Sequence, residues 1–329
     1  MFHNLINAED VRRVGRRLAK GEARAVVAKL RGSSAERVVR SWDSDPVGPT
    51  AQWWEIEAVR RRWAYLISGD QDVDFPQYAV ERYLGGRTDL KAISVGCGHG
   101  GRELRWAELG AFARIDAYDI STKSIAAARQ MAKERGLEHV VQFEVADVAD
   151  LGIAASSYDV ALGLHSLHHF KPVADILALL SDALRPNGYL FVDDFVGPTR
   201  FQWTERQREA AEGLLRSLPE RYRRVPGIGV RGKVVRPSVA WMVLSDPSEA
   251  IEADLILPAL RGRFEVVEER PFGGSVLQLT LTDISQNFLD GGEETQRLLE
   301  WLFEAEDRLL AEGEVGHDFV ALVARPRRA

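Results

Sequence analysis

The chain has 329 residues and a net charge of −6 at pH 7, with 45% hydrophobic and 28% charged residues. This composition is typical of a globular protein that buries a large core. Because Cys97 is the single cysteine, an intrachain disulfide and a cysteine-type zinc site are excluded. The first residues lack the apolar core of a signal peptide, and no apolar run reaches the roughly 20 residues that span a bilayer. We therefore expect a soluble, cytoplasmic protein without a membrane span.

Residues 1–85 are predicted to form a helical extension. Residues 11–40 contain ten basic and two acidic residues, and Val11, Val14 and Leu18 follow helical spacing, which predicts a basic amphipathic helix. We interpret this helix as packing on the body of the protein, with contact to an acidic or membrane surface as the alternative. Four of the eight tryptophans lie within residues 42–63. They favour packing of the extension onto the main domain, with an aromatic lid over a ligand as the alternative.

Residues 86–329 are predicted to form one α/β domain. From Leu90 the sequence alternates between short apolar strands and amphipathic helices, which predicts a doubly wound, mostly parallel sheet with helices on both faces. The regular alternation ends after residue 195. Helical insertions are predicted at about residues 201–260 and 275–311.

A glycine-rich loop follows the first strand of this domain. Gly96, Gly98 and Gly100 lie between the strand and the next helix, where the absence of side chains lets the backbone approach a ligand. Gly96, Gly98 and Gly101 also fit the dinucleotide pattern G-x-G-x-x-G, so the loop alone leaves an NAD enzyme open.

Two carboxylates follow the next two strands. Asp119 ends the second strand, where it can accept hydrogen bonds from the ribose hydroxyls of either NAD or S-adenosylmethionine. Asp147 follows the third strand, where it can accept a hydrogen bond from an adenine amino group. The fourth strand then continues into LHSLHHF, and the fifth follows LRPNGY.

This ordered set of motifs resembles the class I S-adenosylmethionine-dependent methyltransferases over roughly residues 90–195. The first motif of that family resembles VGCGHGGREL here, although Ser94 stands where many members carry an acid. The resemblance implies a seven-stranded sheet with an antiparallel last strand, formed with residues 264–270 and 317–324. The FVGPTRFQWTERQ segment resembles one in a bacterial subgroup whose acceptor is unknown.

The resemblance also implies that S-adenosylmethionine is the cofactor. The residues that would bind it are Gly96, Gly98, Gly100, Asp119, Ile120, Asp147, Val148 and His165.

Candidate catalytic residues follow the fourth and fifth strands, because ligands bind at the carboxyl ends of strands in open α/β sheets. We name His165 first, as a general base or as a wall of the cofactor site, then His168 and Asp194. Packing of the loop is the alternative role for these side chains. Arg200 is expected to face the acceptor. We predict no metal site, because adjacent His168 and His169 point apart in most conformations.

The function we predict is methyl transfer to a small-molecule acceptor, such as a metabolite, natural product or saccharide, by in-line displacement. We expect the helical segments outside the sheet to enclose the pocket for such an acceptor. Methylation of RNA or protein is the alternative, supported by the basic N-terminal segment, although a nucleic-acid partner is not expected. An NAD-dependent oxidoreductase and a non-enzymatic scaffold are more remote. The oligomeric state is left open.

Overall fold

The computed structural model describes residues 4–5, 34–43 and 51–327. Seven strands form one sheet in the order β3-β2-β1-β4-β5-β7-β6. These strands are β1 (Leu90–Val95), β2 (Phe112–Asp119), β3 (Val141–Val145), β4 (Tyr158–Leu164), β5 (Leu184–Phe195), β6 (Phe264–Pro271) and β7 (Phe319–Pro326). Neighbours from β1 to β5 pair in parallel, whereas β7 is antiparallel to both β5 and β6. The predicted sheet and its antiparallel last strand are confirmed.

Helices cover the sheet, and further helices form the two predicted insertions. The extension contains α1 (Ser34–Trp42), α2 (Glu57–Ser68) and α3 (Phe75–Tyr83). The helices between sheet strands are α4 (Gly101–Glu108), α5 (Thr122–Glu134) and α6 (Val173–Ala183). The insertions contain α7 (Glu205–Ser217), α8 (Val239–Ser245), α9 (Ile256–Arg263), α10 (Leu277–Leu281) and α11 (Glu293–Ala311). Within the described ranges, none of the helices combines the length and hydrophobicity needed to cross a bilayer.

Local sequence explains the positions of the elements around the carboxyl edge of the sheet. Every residue of β4 is buried, as expected for a central parallel strand with helices on both faces. Ser121 caps α5 by accepting a hydrogen bond from the Ser124 N–H, and Gly136 follows the helix with a φ of 68°. Thr204 and Gln207 form a capping box at the start of α7. The starts of both helices therefore have a hydrogen-bonding basis.

The aromatic residues of the extension pack onto the main domain. The ring of Trp53 lies 5.6 Å from that of Phe319 in β7, and the Trp63 ring lies 5.2 Å from that of Phe272. These contacts agree with the packing interpretation of the tryptophan-rich segment. The boundary between residues 85 and 86 stays a prediction. Most of the predicted basic helix lies outside the described residues, which include only residues 34–40 of that stretch.

Candidate functional site

The glycine loop is held at the carboxyl edge of the sheet by backbone hydrogen bonds. The N–H groups of Gly96 and Cys97 both donate to the carbonyl of Tyr118 at the end of β2, over 2.8 and 3.1 Å. Gly96, Gly98 and Gly100 all have positive φ angles, of 66°, 52° and 74°. A side chain at any of the three would therefore be strained.

The three glycines differ in what surrounds them. A Cβ on Gly96 would lie 2.9 Å from the Ser166 Cβ, and a Cβ on Gly100 would lie 2.4 Å from the Phe143 ring. A Cβ on Gly98 would meet no atom within 4 Å. Gly96 and Gly100 are thus required by packing inside the protein, whereas Gly98 borders open space.

Asp119 connects this loop to the start of α5. One carboxylate oxygen accepts from the Gly98 N–H over 2.8 Å, and the other accepts from the Ser121 N–H over 2.8 Å. Each oxygen has a second lone pair that these bonds leave available. The carboxylate is therefore oriented by the protein before any ligand binds.

The end of α1 also reaches this edge. Asp43 accepts hydrogen bonds from the Ser121 hydroxyl and the Lys123 N–H, over 2.6 and 3.3 Å. The neighbouring Trp42 ring meets the His169 ring edge-on, with centroids 4.8 Å apart. Trp42 thus brings the tryptophan-rich segment into contact with the candidate site.

Asp147 lies beside Asp119 at the same edge. The Ala146 N–H donates to the Asp119 carbonyl over 2.9 Å, which fixes the start of the loop after β3. Asp147 is exposed and accepts from the Ala149 N–H, whereas Val148 is buried. Ile120 follows Asp119 directly and is partly buried.

These residues fit S-adenosylmethionine. Gly98 offers a surface without a side chain, next to a helix that begins at Gly101. Asp119 supplies oriented carboxylate oxygens, and Asp147 supplies an exposed one. A cradle that a Cβ would fill and acceptors placed at successive strand ends suit a ligand with a ribose and an adenine.

The structure pairs two of the predicted histidines with successive aspartates of β5. His165 has a left-handed φ of 53°, and its Nε2 lies 3.1 Å from the Asp193 Oδ1. His168 Nδ1 hydrogen-bonds to the Asp194 Oδ1. Both pairs form because Leu164 and Asp193 are register partners in the adjacent strands β4 and β5.

Asp194 lies behind His168 and away from solvent. It has no exposed surface, and its carboxylate accepts from the backbone N–H groups of Ser166, Leu167 and Phe195 over 2.7–3.0 Å. The predicted direct contact of Asp194 with an acceptor is therefore inconsistent with its burial. The side chain instead orients the loop after β4 and the His168 ring.

Arg200 does not face the acceptor as expected. Its guanidinium donates to the carbonyls of Pro247 and Glu249 over 2.6 and 2.9 Å. The Ile251 N–H also donates to the His168 carbonyl over 3.0 Å. These contacts hold the segment 246–251 of the first insertion over the histidine loop, so the insertion forms a roof there.

The roof brings Glu249 to the histidines. One Glu249 oxygen lies 3.6 Å from His168 Nε2, and the His168 and His169 ring centroids are 4.1 Å apart. The expectation that the two adjacent rings point apart is therefore wrong, because the tight turn Leu167–His169 brings them together. Sequence reasoning missed Glu249, since no motif surrounds it.

Burial shifts the pKa values of this group in different directions. Burial raises the pKa of Glu249 to about 7. Burial lowers the pKa of His168, but Asp194 and Glu249 raise it more, so the net shift is upward. Burial and the neighbouring His168 both lower the pKa of His169. Burial raises the pKa of Asp193, but His165 lowers it more. Strong perturbation of clustered groups is typical of functional sites.

Comparisons with known proteins match the part of the chain that contains this candidate site. The methyltransferase domain family matches residues 93–192, which include the glycine loop and the His168 loop. The 27-O-demethylrifamycin SV methyltransferase of Amycolatopsis mediterranei is 27% identical over 218 residues, 59% of this chain and 79% of that protein. The erythromycin 3''-O-methyltransferase of Saccharopolyspora erythraea is 26% identical over 106 residues, 32% of this chain and 35% of that protein.

A solved structure covers more of the chain at lower identity. Geranyl diphosphate C-methyltransferase from Streptomyces coelicolor A3(2) has a TM-score of 0.48 and 14% identity, over 90% of this chain and 98% of that one. The predicted cofactor, S-adenosylmethionine, is supported by the family match and the relatives, and the NAD alternative is set aside. The matched domain, the relatives and the order of the seven strands identify the chain as a class I S-adenosylmethionine-dependent methyltransferase.

Proposed function

We propose that this enzyme methylates a hydroxyl group of a small-molecule acceptor. Two relatives are named for methyl transfer to rifamycin- and erythromycin-type molecules, and others are named for O-methylation of fatty acids and in ubiquinone biosynthesis. The roof formed by the first insertion supports an enclosed acceptor site, which suits a small molecule.

The cofactor would be held at the edge formed by β1, β2 and β3. S-adenosylmethionine supplies a methyl group on a sulfonium, whose departure leaves a neutral sulfide. In this proposal Gly98 permits close backbone approach, Asp119 accepts from the ribose hydroxyls, and Asp147 accepts from the adenine amino group. Ile120, Val148 and His165 line the same site.

The observation that carries the proposal is the buried pair of His168 and Asp194. A carboxylate that already accepts three backbone N–H groups is held as an acceptor, so the His168 Nδ1 carries the proton of their shared hydrogen bond. In the neutral form of the ring, the Nε2 of His168 then has a free lone pair. A lone pair in a partly closed site is what removal of a hydroxyl proton requires.

His168 is therefore the proposed base, and Asp194 is the residue that positions it. His165, named first from the sequence, takes the second place because its Nε2 already lies against Asp193. The protein's other contribution is to orient the acceptor in line with the methyl group and to exclude water under the roof.

The test uses labelled S-adenosylmethionine with separated small-molecule, RNA and protein fractions of a bacterial lysate. We expect label in the small-molecule fraction, and label confined to RNA or protein would contradict the proposed acceptor class. His168→Gln should reduce turnover at least 100-fold, the usual size of a general-base effect. S-adenosylhomocysteine affinity, measured by calorimetry, should change less than threefold. A His168→Gln enzyme with normal turnover would show that the base is elsewhere.

A further inference from the structure

Three side chains from two separate segments converge beside the proposed base. One ring nitrogen from each of His168 and His169 and one carboxylate oxygen of Glu249 lie within 4.8 Å of one another. The histidines belong to the turn after β4, whereas Glu249 belongs to the roof, 80 residues later in the chain. Their convergence is thus a tertiary feature that depends on the roof.

Each histidine has a partner behind it. His168 is held through Nδ1 by Asp194. The His169 Nδ1 lies 3.3 Å from the Ser248 hydroxyl oxygen, and that hydroxyl donates its own hydrogen to Asp246 over 2.6 Å. The Ser248 oxygen therefore acts as an acceptor toward the His169 ring. With both Nδ1 atoms used as donors, both Nε2 atoms carry lone pairs when the rings are neutral.

Glu249 is fixed at its backbone but not at its carboxylate. Arg200 donates to the Glu249 carbonyl, and the Ile251 N–H anchors the same segment to His168. Within residues 4–5, 34–43 and 51–327, the carboxylate has one ion-pair contact, at 3.6 Å to His168 Nε2, which is too long for a hydrogen bond. Its side chain is 29% exposed. A partly buried carboxylate whose ion-pair contact is this long is available to bind a cation.

We propose that His168, His169 and Glu249 form a binding site for a divalent transition-metal ion of the zinc class. Two imidazoles and one carboxylate, with a fourth position open, are a known zinc ligand set. Ligand atoms at about 2.0–2.2 Å from zinc are about 3.3–3.6 Å apart in a tetrahedron, so side-chain shifts of about 1 Å would close the site. The carboxylate of Asp194 behind His168 is the outer partner that metal-binding histidines usually have.

The consequence for catalysis rests on the proposed function. An ion bound to His168 Nε2 occupies the lone pair that would take the acceptor proton. Bound metal should therefore inhibit methyl transfer without displacing the cofactor, which lies at Gly98 and Asp119. Metal binding itself does not depend on the identity of the acceptor.

The test is titration of the chelator-treated full chain with Co²⁺, followed by the visible absorption of tetrahedral cobalt, and with Zn²⁺ by calorimetry. We expect one ion per chain. Glu249→Gln and His169→Asn should each weaken binding at least tenfold. Glu138→Gln and His139→Asn, adjacent and exposed, are matched controls that should bind as the wild type does.

Retained S-adenosylhomocysteine affinity in each variant shows that it is folded. Absence of one-to-one binding, or binding that survives both cluster substitutions, would overturn the proposal. Methyl transfer by the metal-free enzyme tests the proposed function separately. If that activity is present and cobalt does not bind, only the proposal of a metal site is refuted. If cobalt binds as expected and no methyl is transferred to small molecules, the proposed function fails alone.

Discussion

Gly98→Ala tests whether Gly98 is needed for the approach of the ligand, because an added Cβ there does not disturb packing. The added methyl group meets no atom within 4 Å, so its cost to folding is the left-handed φ of 52°, about 1–2 kcal/mol. In a chain of this size that lowers Tm by a few degrees. Because the methyl enters the open space above the loop, S-adenosylhomocysteine should bind at least tenfold more weakly, a loss of about 1.4 kcal/mol or more.

Gly136→Ala is the matched control for backbone strain. Gly136 also has a positive φ, of 68°, and no atom within 4 Å of an added Cβ, but it follows α5 away from the glycine loop. It should lose similar stability and keep full cofactor affinity. Gly100→Ala is the packing counterpart, because its Cβ would lie 2.4 Å from the Phe143 ring. It should lower the yield of folded protein severely.

Thermal unfolding measures the first quantity and calorimetry with S-adenosylhomocysteine measures the second. The reasoning predicts that Gly98→Ala and Gly136→Ala differ in cofactor affinity but not in Tm. Equal cofactor affinity in these two variants would refute the placement of the cofactor over Gly98. A much larger loss of Tm for Gly98→Ala would show instead that the loop is closed by packing.

Three further outcomes follow from single contacts. Asp119→Ala should weaken S-adenosylhomocysteine binding by roughly 1.5–3 kcal/mol, about 10- to 150-fold by calorimetry, because hydrogen bonds to a charged group are lost. Unchanged affinity would show that the ribose does not bind at Asp119. Arg200→Lys should lower the free energy of unfolding, measured in urea, by about 1–3 kcal/mol, because a lysine cannot donate to the same roof carbonyls in the same geometry. Cofactor affinity should stay the same. Weaker cofactor binding at unchanged stability would argue against a role of Arg200 in holding the roof. Burial raises the pKa of Asp318 to about 7, so the folded state keeps a proton that the unfolded state loses near pH 4. Stability should therefore fall by up to about 3 kcal/mol as pH rises from 4 to 7, and Asp318→Asn should flatten that profile in thermal melts, whereas an unchanged slope would exclude Asp318 as its source.

The sheet and the placement of the glycine loop, Asp119 and Asp147 at one of its edges could be predicted because their signals are local. A strand, a glycine-rich turn and a helix follow one another within about 20 residues around Gly98, and Asp119 and Asp147 end the next two strands. Parallel strands place such positions at a common edge whatever the loops do. The hydrogen bond between the Gly98 N–H and Asp119 is the direct result of that rule.

The acceptor side could not be predicted in the same way. Glu249 contacts His168, 81 residues away in the chain, and Arg200 contacts the Glu249 carbonyl, 49 residues away; neither residue belongs to a periodic pattern. Sequence reasoning could not decide between His165 and His168 as the proposed base either. Strand register pairs each of the two histidines with an aspartate of β5, so register does not distinguish them. The distinction comes from the backbone N–H groups that bury the Asp194 carboxylate.

Ser94, which stands where many members of the family carry an acid, is hydrogen-bonded to a buried carboxyl group of the next helix. The resemblance leads one to expect an acid at this position of β1, and the serine there donates its hydroxyl hydrogen to the carboxylate of Glu103 over 2.8 Å. Glu103 lies on α4, is 1% exposed, and has its pKa raised to about 7 by burial. A buried carboxyl group from the helix that follows the loop therefore lies next to β1. This buried hydrogen bond between Ser94 and Glu103 joins β1 to the first turn of α4, the two elements that the glycine loop connects.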